Sequence, residues 1–169
     1  PGREISGKTI GVIGLGAIGQ RTAKLAQAFG CNVIAWNRTP RIVAGVTIVD
    51  KETLFKEADI VTIHIALNDE TRDFVTAKEL ALMKRSSIIV NAARGPIVNA
   101  QDLSDALKEG RISGAALDVY DVEPPLDSNN PMLDAPNTIL LPHIGFATKE
   151  AFELRLGIVV NNVEQFCKQ

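Results

Sequence analysis

The sequence has little of what metal sites and disulfide frameworks require. It contains two cysteines, Cys31 and Cys167, and two histidines, His64 and His143, and all four lie far apart in the chain. This spacing matches neither a metal-ligand cluster nor a disulfide scaffold, and so few cysteines are typical of a reducing compartment. The sequence therefore predicts no metal site.

An excess of one charge and long apolar runs are also missing. The formal net charge is −2, from 18 basic and 20 acidic residues, so nothing attracts nucleic acid or an anionic membrane surface. No apolar run approaches the roughly 20 residues of a membrane-spanning helix, and no signal-peptide pattern is present. We therefore expect a cytoplasmic protein that binds neither nucleic acid nor membranes.

The sequence does have 46% hydrophobic residues, enough for one core, and we expect a single domain over residues 1–169. Short β-branched runs alternate with segments of helical periodicity. This alternation predicts a Rossmann-type α/β fold, a doubly wound parallel sheet in three αβα layers with strand order 3-2-1-4-5-6. The predicted strands are 9–13, 32–36, 59–64, 87–91, 114–118 and 138–141, and a short apolar run lies at 46–49.

Helices are predicted from their periodicity and from residues that commonly begin or end them. Asp50 and Asn99 are N-cap candidates, Asp102 forms an approximate capping box with Asn99, and Gly30 ends the first helix. The last helix is predicted from the segment at 142–145 to about residue 166. One face of the first helix is formed by Ile18, Thr22, Leu25, Ala26 and Phe29.

A glycine-rich loop, Gly14-x-Gly16-x-x-Gly19, joins the first strand to the first helix. Gly14 permits a tight turn, Gly16 lets the backbone approach a pyrophosphate, and Gly19 lets the helix pack close to the strand. The helix N-terminus adds free N–H groups and a positive dipole end. Glycines at this spacing also occur in ordinary turns, but the order of strand, glycines and helix favours pyrophosphate binding.

Unusual polar residues follow the predicted strands, at the sheet edge where open α/β folds bind ligands. They are Asn37, Arg38, His64, Arg94, Asp118, Glu123 and His143. A purely structural origin would scatter such residues along both edges, so we expect one composite site. His64 is expected to pack for structural reasons, although its position also suits the site, and Trp36 either flanks an adenine or packs in the core.

His143 is the strongest candidate for proton transfer, because imidazole titrates near neutral pH. A helix cap or a buried, satisfied histidine is the alternative. Glu123, Asp121 and Asp118 are all candidates to orient its ring, and the residues alone do not choose among them. Arg94 either clamps a carboxylate with two hydrogen bonds or forms a surface salt bridge.

Several motifs together resemble those of the D-isomer-specific 2-hydroxyacid dehydrogenases, in their nucleotide-binding domain, over essentially all 169 residues. Beside the glycine loop they are Ile5–Thr9, Leu82–Lys84, Asn91–Gly95, Gly114–Val119, Val122–Pro124 and Pro142–Gly145. The resemblance implies an oxidoreductase of the EC 1.1.1 class that moves a hydride between NAD(P)H and a small 2-oxoacid, such as glyoxylate or hydroxypyruvate. The alternative is a nucleotide-sensing corepressor or scaffold of the same superfamily.

The resemblance also implies residue roles and a homodimer. Arg94 would bind the substrate carboxylate, His143 would be the general acid/base, and Glu123 would pair with His143 and keep it protonated. Asp118 would lie near the nicotinamide carboxamide. Arg94 and His143 are also expected at the cofactor. The other residues expected there are Gly14, Gly16, Ala17, Ile18, Gly19, Asn37, Arg38, Thr39, His64, Ala66, Ala92 and Gly145.

Three positions depart from the family pattern. Ala66 stands where the family often has proline, and Phe146 stands where it commonly has a small residue. We expect Phe146 to narrow the end of the site that binds the substrate. NAD-using members commonly place an acid after the second strand, where this chain has Asn37, Arg38 and Thr39. An acid would repel a 2′-phosphate, whereas these residues would bind one through charge-assisted hydrogen bonds. NADP(H) is therefore the expected cofactor, with NAD(H) as the alternative.

The chain begins at Pro1, directly before a strand, which is typical of a domain from a longer protein. The resemblance implies a second, smaller domain that closes over the substrate and shapes its pocket. We therefore expect this chain to bind the dinucleotide but to turn over poorly or not at all. Which 2-hydroxy acid is the substrate does not follow from these residues.

Overall fold

The computed structural model describes residues 2, 4–39, 41–124 and 126–168. The predicted domain limits, 1 and 169, and single residues in the loops after the second and sixth strands lie outside them. The elements in chain order are β1 (Thr9–Ile13), α1 (Ala17–Ala28), β2 (Asn32–Trp36), β3 (Val46–Ile48), α2 (Lys51–Glu57), β4 (Ile60–Ile63), α3 (Ala77–Leu82), β5 (Ile88–Asn91), α4 (Ala100–Lys108), β6 (Gly114–Leu117), β7 (Thr138–Leu140) and α5 (Lys149–Cys167), with 3-10 turns at Gly95–Ile97 and Pro131–Asp134.

The strands form a parallel sheet in the order β3-β2-β1-β4-β5-β6-β7, which confirms the Rossmann-type fold. The strand next to β2 at the edge of the sheet is β3, at Val46–Ile48, which the sequence shows only as a short apolar run. The predicted strand at 59–64 is therefore the fourth, beside β1, and β7 extends the order to seven. β3 is hard to see in the sequence because it is three residues long and pairs with β2 alone.

The register brings the ends of the strands to one edge. Ile13 lies opposite both Trp36 and Ile63, and Ile63 lies opposite Asn91. Leu117, the last residue of β6, lies opposite both Asn91 and Leu140. The polar residues that follow these strands therefore emerge side by side.

Two apolar clusters cover the two faces of the sheet, because neighbouring strand residues point to opposite sides. Ile34 belongs to the larger cluster, with Phe55 and Leu103, whereas Val33 belongs to the smaller cluster, with Ala23. Helix α1 packs through small residues, and its buried residues are Gly19 and Ala23. The larger residues of its predicted apolar face, Ile18, Leu25 and Phe29, are exposed.

Local capping signals in the sequence are largely confirmed. The side chains of Asp50 and Asn99 accept the N–H groups of Thr53 and Asp102, as N-caps do. Gly30 follows α1 with a φ of +78°, a conformation that favours glycine. The capping box at Asn99 is not formed, because the carboxylate of Asp102 accepts the N–H of Ala77 instead.

Helix α5 begins later than predicted. Residues 142–148 form a turn, and the helix starts at Lys149, with Thr148 as its N-cap. None of its residues is buried, so the predicted amphipathic pattern does not correspond to packing against the sheet. Among the residues that the structure describes, no helix combines the length and apolar character needed to cross a membrane.

Candidate functional site

The glycine loop has the geometry of an anion cradle. Gly14 has a φ of +95°, and its N–H donates to the carbonyl of Trp36 at 2.8 Å. A Cβ on Gly19 would lie 1.9 Å from the Gly14 carbonyl oxygen, so only glycine permits this close packing. A Cβ on Gly16 would instead meet open space. No described side chain caps α1, and its first turn, where Ala17 and Ile18 are exposed, contains no acid. This helix end suits a pyrophosphate.

Asn37 braces this loop from the end of β2. Its Oδ1 accepts the N–H of Leu15 at 2.8 Å, and its Nδ2 donates to the carbonyl of Thr39 at 2.5 Å. Both ends of the amide are therefore engaged by the protein's own backbone. The structure places Asn37 where the sequence predicts it, but its contacts are those of a support for the glycine loop.

A cavity of about 490 Å³ opens beside the glycine loop. Seven of the predicted cofactor residues line it, namely Gly14, Gly16, Asn37, Arg38, Thr39, His64 and Ala66. Trp36 lines it too and also packs against Phe74, with ring centroids 4.8 Å apart. Six further lining residues are not among those predicted from the sequence, namely Arg41, Ile65, Asn68, Glu70, Thr71 and Phe74. They come from loops whose path depends on tertiary structure.

Two guanidinium groups lie at this cavity. Arg38 donates to Glu70, with Nη1 and Oε2 3.0 Å apart, and both side chains are more than 70% exposed. Arg41 donates to the carbonyl of Leu15 at 3.0 Å, so it also contacts the glycine loop. The cavity thus presents positive charge beside the phosphate cradle, together with one carboxylate.

His64 is a partly buried residue at the end of β4. Its Nε2 lies 3.0 Å from the hydroxyl of the buried Thr62, and desolvation by the surrounding protein lowers the pKa of the imidazole. A lowered pKa keeps the ring neutral at pH 7. His64 therefore both lines the cavity and packs against its own strand.

This burial makes stability depend on pH. The His64 side chain of the unfolded chain has an ordinary pKa of about 6.5, so it binds a proton more readily than in the folded chain. Neutral, buried His64 therefore makes its full contribution to the free energy of unfolding above about pH 6.5. This contribution is lost as the pH falls from about 6.5 towards the lower pKa of His64 in the folded state. We expect the His64→Gln variant to lose less free energy of unfolding than the wild type between pH 7.5 and 5.5 in urea titrations. An equal or larger loss in the variant would contradict this assignment.

After β7, the last strand in the sheet order, His143 is paired with Glu123. The imidazole Nδ1 lies 2.5 Å from Glu123 Oε2, and the backbone N–H of Tyr120 donates to Oε1 of the same carboxylate. Both carboxylate oxygens are therefore engaged, which holds the imidazole in one orientation. Of the three candidate acids, Glu123 is the one that contacts His143.

Asp118 shapes the turn that carries His143. His143 has a φ of +55°, in the left-handed region that is unusual for a non-glycine residue. The two oxygens of Asp118, which is only 7% exposed, accept the N–H groups of Ile144 and Gly145 at 2.8 and 2.7 Å. A Cβ on Gly145 would lie 2.8 Å from Asp118 Oδ2. Asp118 thus stabilises the backbone immediately after the imidazole.

Arg94 and Ala92 are exposed on the loop after β5. The amide of Asn91 donates to the carbonyl of Arg94 and accepts from the N–H of Ala93, which gives the loop a defined shape. Arg94 Nη1 donates to the carbonyl of Ala93 at 2.6 Å. A Cβ on Gly95 would lie 2.0 Å from the carbonyl carbon of Tyr120, so this loop packs against the segment that holds Glu123.

A second cavity, of about 620 Å³, lies at His143 and Glu123. Its lining is largely apolar, and Phe146 stands edge-on to the imidazole, with ring centroids 5.6 Å apart and planes at 85°. Phe146, which departs from the small residue of the family pattern, thus places an aromatic ring against the imidazole of His143. This ring restricts the space beside the imidazole.

Several known proteins are similar to this chain. The family model "D-isomer specific 2-hydroxyacid dehydrogenase, NAD binding domain" matches residues 1–145. The D-3-phosphoglycerate dehydrogenase of Methanocaldococcus jannaschii is 46% identical, over 97% of this chain and 32% of its own length. The glyoxylate reductase of Thermococcus litoralis is 43% identical, over 99% of this chain and 51% of its own length.

Solved structures show the same fold. The structure of a putative D-3-phosphoglycerate dehydrogenase oxidoreductase from Ralstonia solanacearum has a TM-score of 0.93 and 35% sequence identity, and the match covers 99% of this chain and 50% of that one. The chain therefore spans about half the length of the proteins it resembles, or less.

Proposed function

The chain belongs to the D-isomer-specific 2-hydroxyacid dehydrogenase family, and we propose that it is the dinucleotide-binding part of an enzyme that reduces a small 2-oxoacid, such as glyoxylate or hydroxypyruvate. The observation that carries this proposal is the His143–Glu123 pair at 2.5 Å, at the same sheet edge as the glycine loop. A proton donor and a phosphate cradle at one edge are what a nicotinamide-dependent reduction requires.

The cofactor, when bound, supplies the hydride to the substrate carbon, and the protein supplies position, charge and a proton. Glu123 holds Nδ1 of His143, so Nε2 is the atom that we assign to protonate the substrate carbonyl oxygen. We assign the exposed guanidinium of Arg94 to the substrate carboxylate, which it suits as a planar two-donor group. Phe146 limits the room beside the imidazole.

We further propose that the cofactor is NADP(H) in preference to NAD(H). Arg38, Arg41 and Thr39 line the cavity beside the glycine loop. None of the three residues directly after β2, at positions 37–39, is acidic. A 2′-phosphate carries negative charge and several acceptor oxygens, so two guanidinium groups and a hydroxyl group are suitable partners. Arg38 is accessible, since its side chain is 73% exposed and its ion pair with Glu70 is solvated.

Arg38→Ala tests this cofactor assignment directly on the chain described here. A hydrogen bond to a charged group is worth about 1.5–3 kcal/mol, so we expect the variant to lose roughly 10- to 100-fold in NADPH affinity with little change for NADH. Fluorescence titration with each reduced cofactor measures both constants. Arg85→Ala, which removes an exposed cation outside the cavity, is the control. An unchanged NADPH-to-NADH preference in Arg38→Ala would overturn the assignment.

A further inference from the structure

Glu70 lines the cofactor cavity from the loop after β4. Its place is defined by hydrogen bonds of the loop: Asn68 Oδ1 accepts the N–H groups of Glu70 and Thr71, each at 3.0 Å. The hydroxyl of Thr71 donates to the carbonyl of Ala66 at 2.7 Å. The loop therefore presents the Glu70 carboxylate from a structured turn.

The carboxylate contacts Arg38 but remains available. The side chains of Glu70 and Arg38 are 72% and 73% exposed, and such a solvated ion pair contributes little net free energy. A ligand that bound either partner better would therefore separate the pair at low cost. Both groups line the same cavity as Gly14 and Gly16, so a bound dinucleotide comes within reach of both.

At the end of β2, the side-chain amide of Asn37 is already engaged by the protein's own backbone. Asn37, in the position where an acid would lie, has its Oδ1 on the N–H of Leu15 and its Nδ2 on the carbonyl of Thr39. Recognition of the 2′-hydroxyl of NAD(H) commonly uses a carboxylate. In the part of the cavity that the structure describes, Glu70 supplies that chemistry.

We propose that Glu70 is a specificity-determining residue that accepts the adenosine ribose 2′-hydroxyl of NAD(H) and thereby limits the preference for NADP(H). This inference rests on the proposed function, in which a nicotinamide dinucleotide binds in this cavity. With NADP(H) bound, Arg38 exchanges its carboxylate partner for the phosphate, and the nearby Glu70 opposes that charge. With NAD(H) bound, Glu70 keeps Arg38 and accepts the hydroxyl.

Glu70→Gln tests this role, because the amide keeps the size of the side chain and leaves the backbone bond to Asn68 in place. We expect NADH to bind about 5- to 10-fold more weakly, because a charged acceptor is lost, and NADPH to bind as well as before or more tightly. Titrations at 0.05 and 0.5 M salt should show the gain for NADPH shrinking, since salt screens exposed charges. Glu52→Gln is the matched control, an exposed acid paired with Lys56 outside the cavity.

The two assignments fail in different ways. If Arg38→Ala reduces NADPH binding but Glu70→Gln leaves the NADPH-to-NADH ratio unchanged or shifts it towards NADH, the role of Glu70 is wrong and the proposed cofactor preference stands. If Arg38→Ala changes nothing but Glu70→Gln weakens NADH alone, the phosphate assignment is wrong and Glu70 remains the ribose acceptor. A shift towards NADPH in Glu70→Gln, together with loss of NADPH binding in Arg38→Ala, supports both.

Discussion

Replacing His143 by glutamine is expected to lower kcat for 2-oxoacid reduction in the full-length protein by about 10²- to 10⁴-fold, the usual contribution of a general acid. The imidazole is held by Glu123 at 2.5 Å, on a turn that Asp118 stabilises, so its orientation does not depend on the substrate. Steady-state assays with glyoxylate and hydroxypyruvate, using NADPH and NADH, measure the effect.

The NADPH dissociation constant serves as the control for a structural effect. The glycine loop follows β1 and the His143 turn follows β7, with three strands between them in the sheet. His143→Gln should therefore leave cofactor binding within about twofold if the fold is intact. Glu123→Gln should reduce kcat less than His143→Gln, because the imidazole keeps its place on the turn but loses the carboxylate that holds its Nδ1. Full activity in His143→Gln would contradict proton donation by this residue. If the wild-type protein reduced no 2-oxoacid, the alternative of a nucleotide-sensing scaffold would be favoured.

Gly19→Ala is expected to reduce the free energy of unfolding by about 3 kcal/mol, the upper range for forced overpacking. The added Cβ would lie 1.9 Å from the carbonyl oxygen of Gly14, and neither group is a flexible side chain that can rotate away. Helix α1 would have to move off β1, which also disturbs the phosphate cradle. Urea titration of the 169-residue chain gives the change in stability, and NADPH titration gives the loss of binding.

Gly16→Ala is the matched comparison in the same loop. Its Cβ would meet open space, and its backbone, with φ −68° and ψ −170°, is accessible to alanine. Stability should therefore change by less than about 1 kcal/mol, the scale of an N-cap replacement. NADPH binding should nevertheless fall by at least tenfold, because the methyl group occupies the space assigned to the pyrophosphate. Normal binding in Gly16→Ala would exclude the proposed cradle, and normal stability in Gly19→Ala would exclude the close packing of α1 on β1.

Much of the fold could be predicted because its signals are local. β-Branched runs form strands, Asp50 and Asn99 satisfy N–H groups within their own first turn, and Gly30 adopts a positive φ at the end of α1. Each of these preferences depends on a few neighbouring residues. β3 was missed because three residues carry too little periodicity to distinguish a strand from a loop.

The site was predicted less completely, because its partners come from distant parts of the chain. Arg41 and Glu70 lie in loops without a recognisable motif, and they reach the cavity only through the path of the folded chain. The exposed face of α1 has a similar cause. Burial of that helix is decided by how closely Gly19 and Ala23 let it approach β1, and apolar periodicity alone does not report this distance.

The sequence by itself determined that strands and helices alternate, that a glycine loop opens the first helix, and that His143, Glu123 and Arg94 follow strands of one parallel sheet. Only the tertiary structure decided which acid meets His143, what Asn37 binds, and which carboxylate faces Arg38. The physical reason is that a residue's backbone preference acts within a few positions. A hydrogen bond or an ion pair needs two atoms about 3 Å apart, and that distance is set by how the whole sheet is assembled.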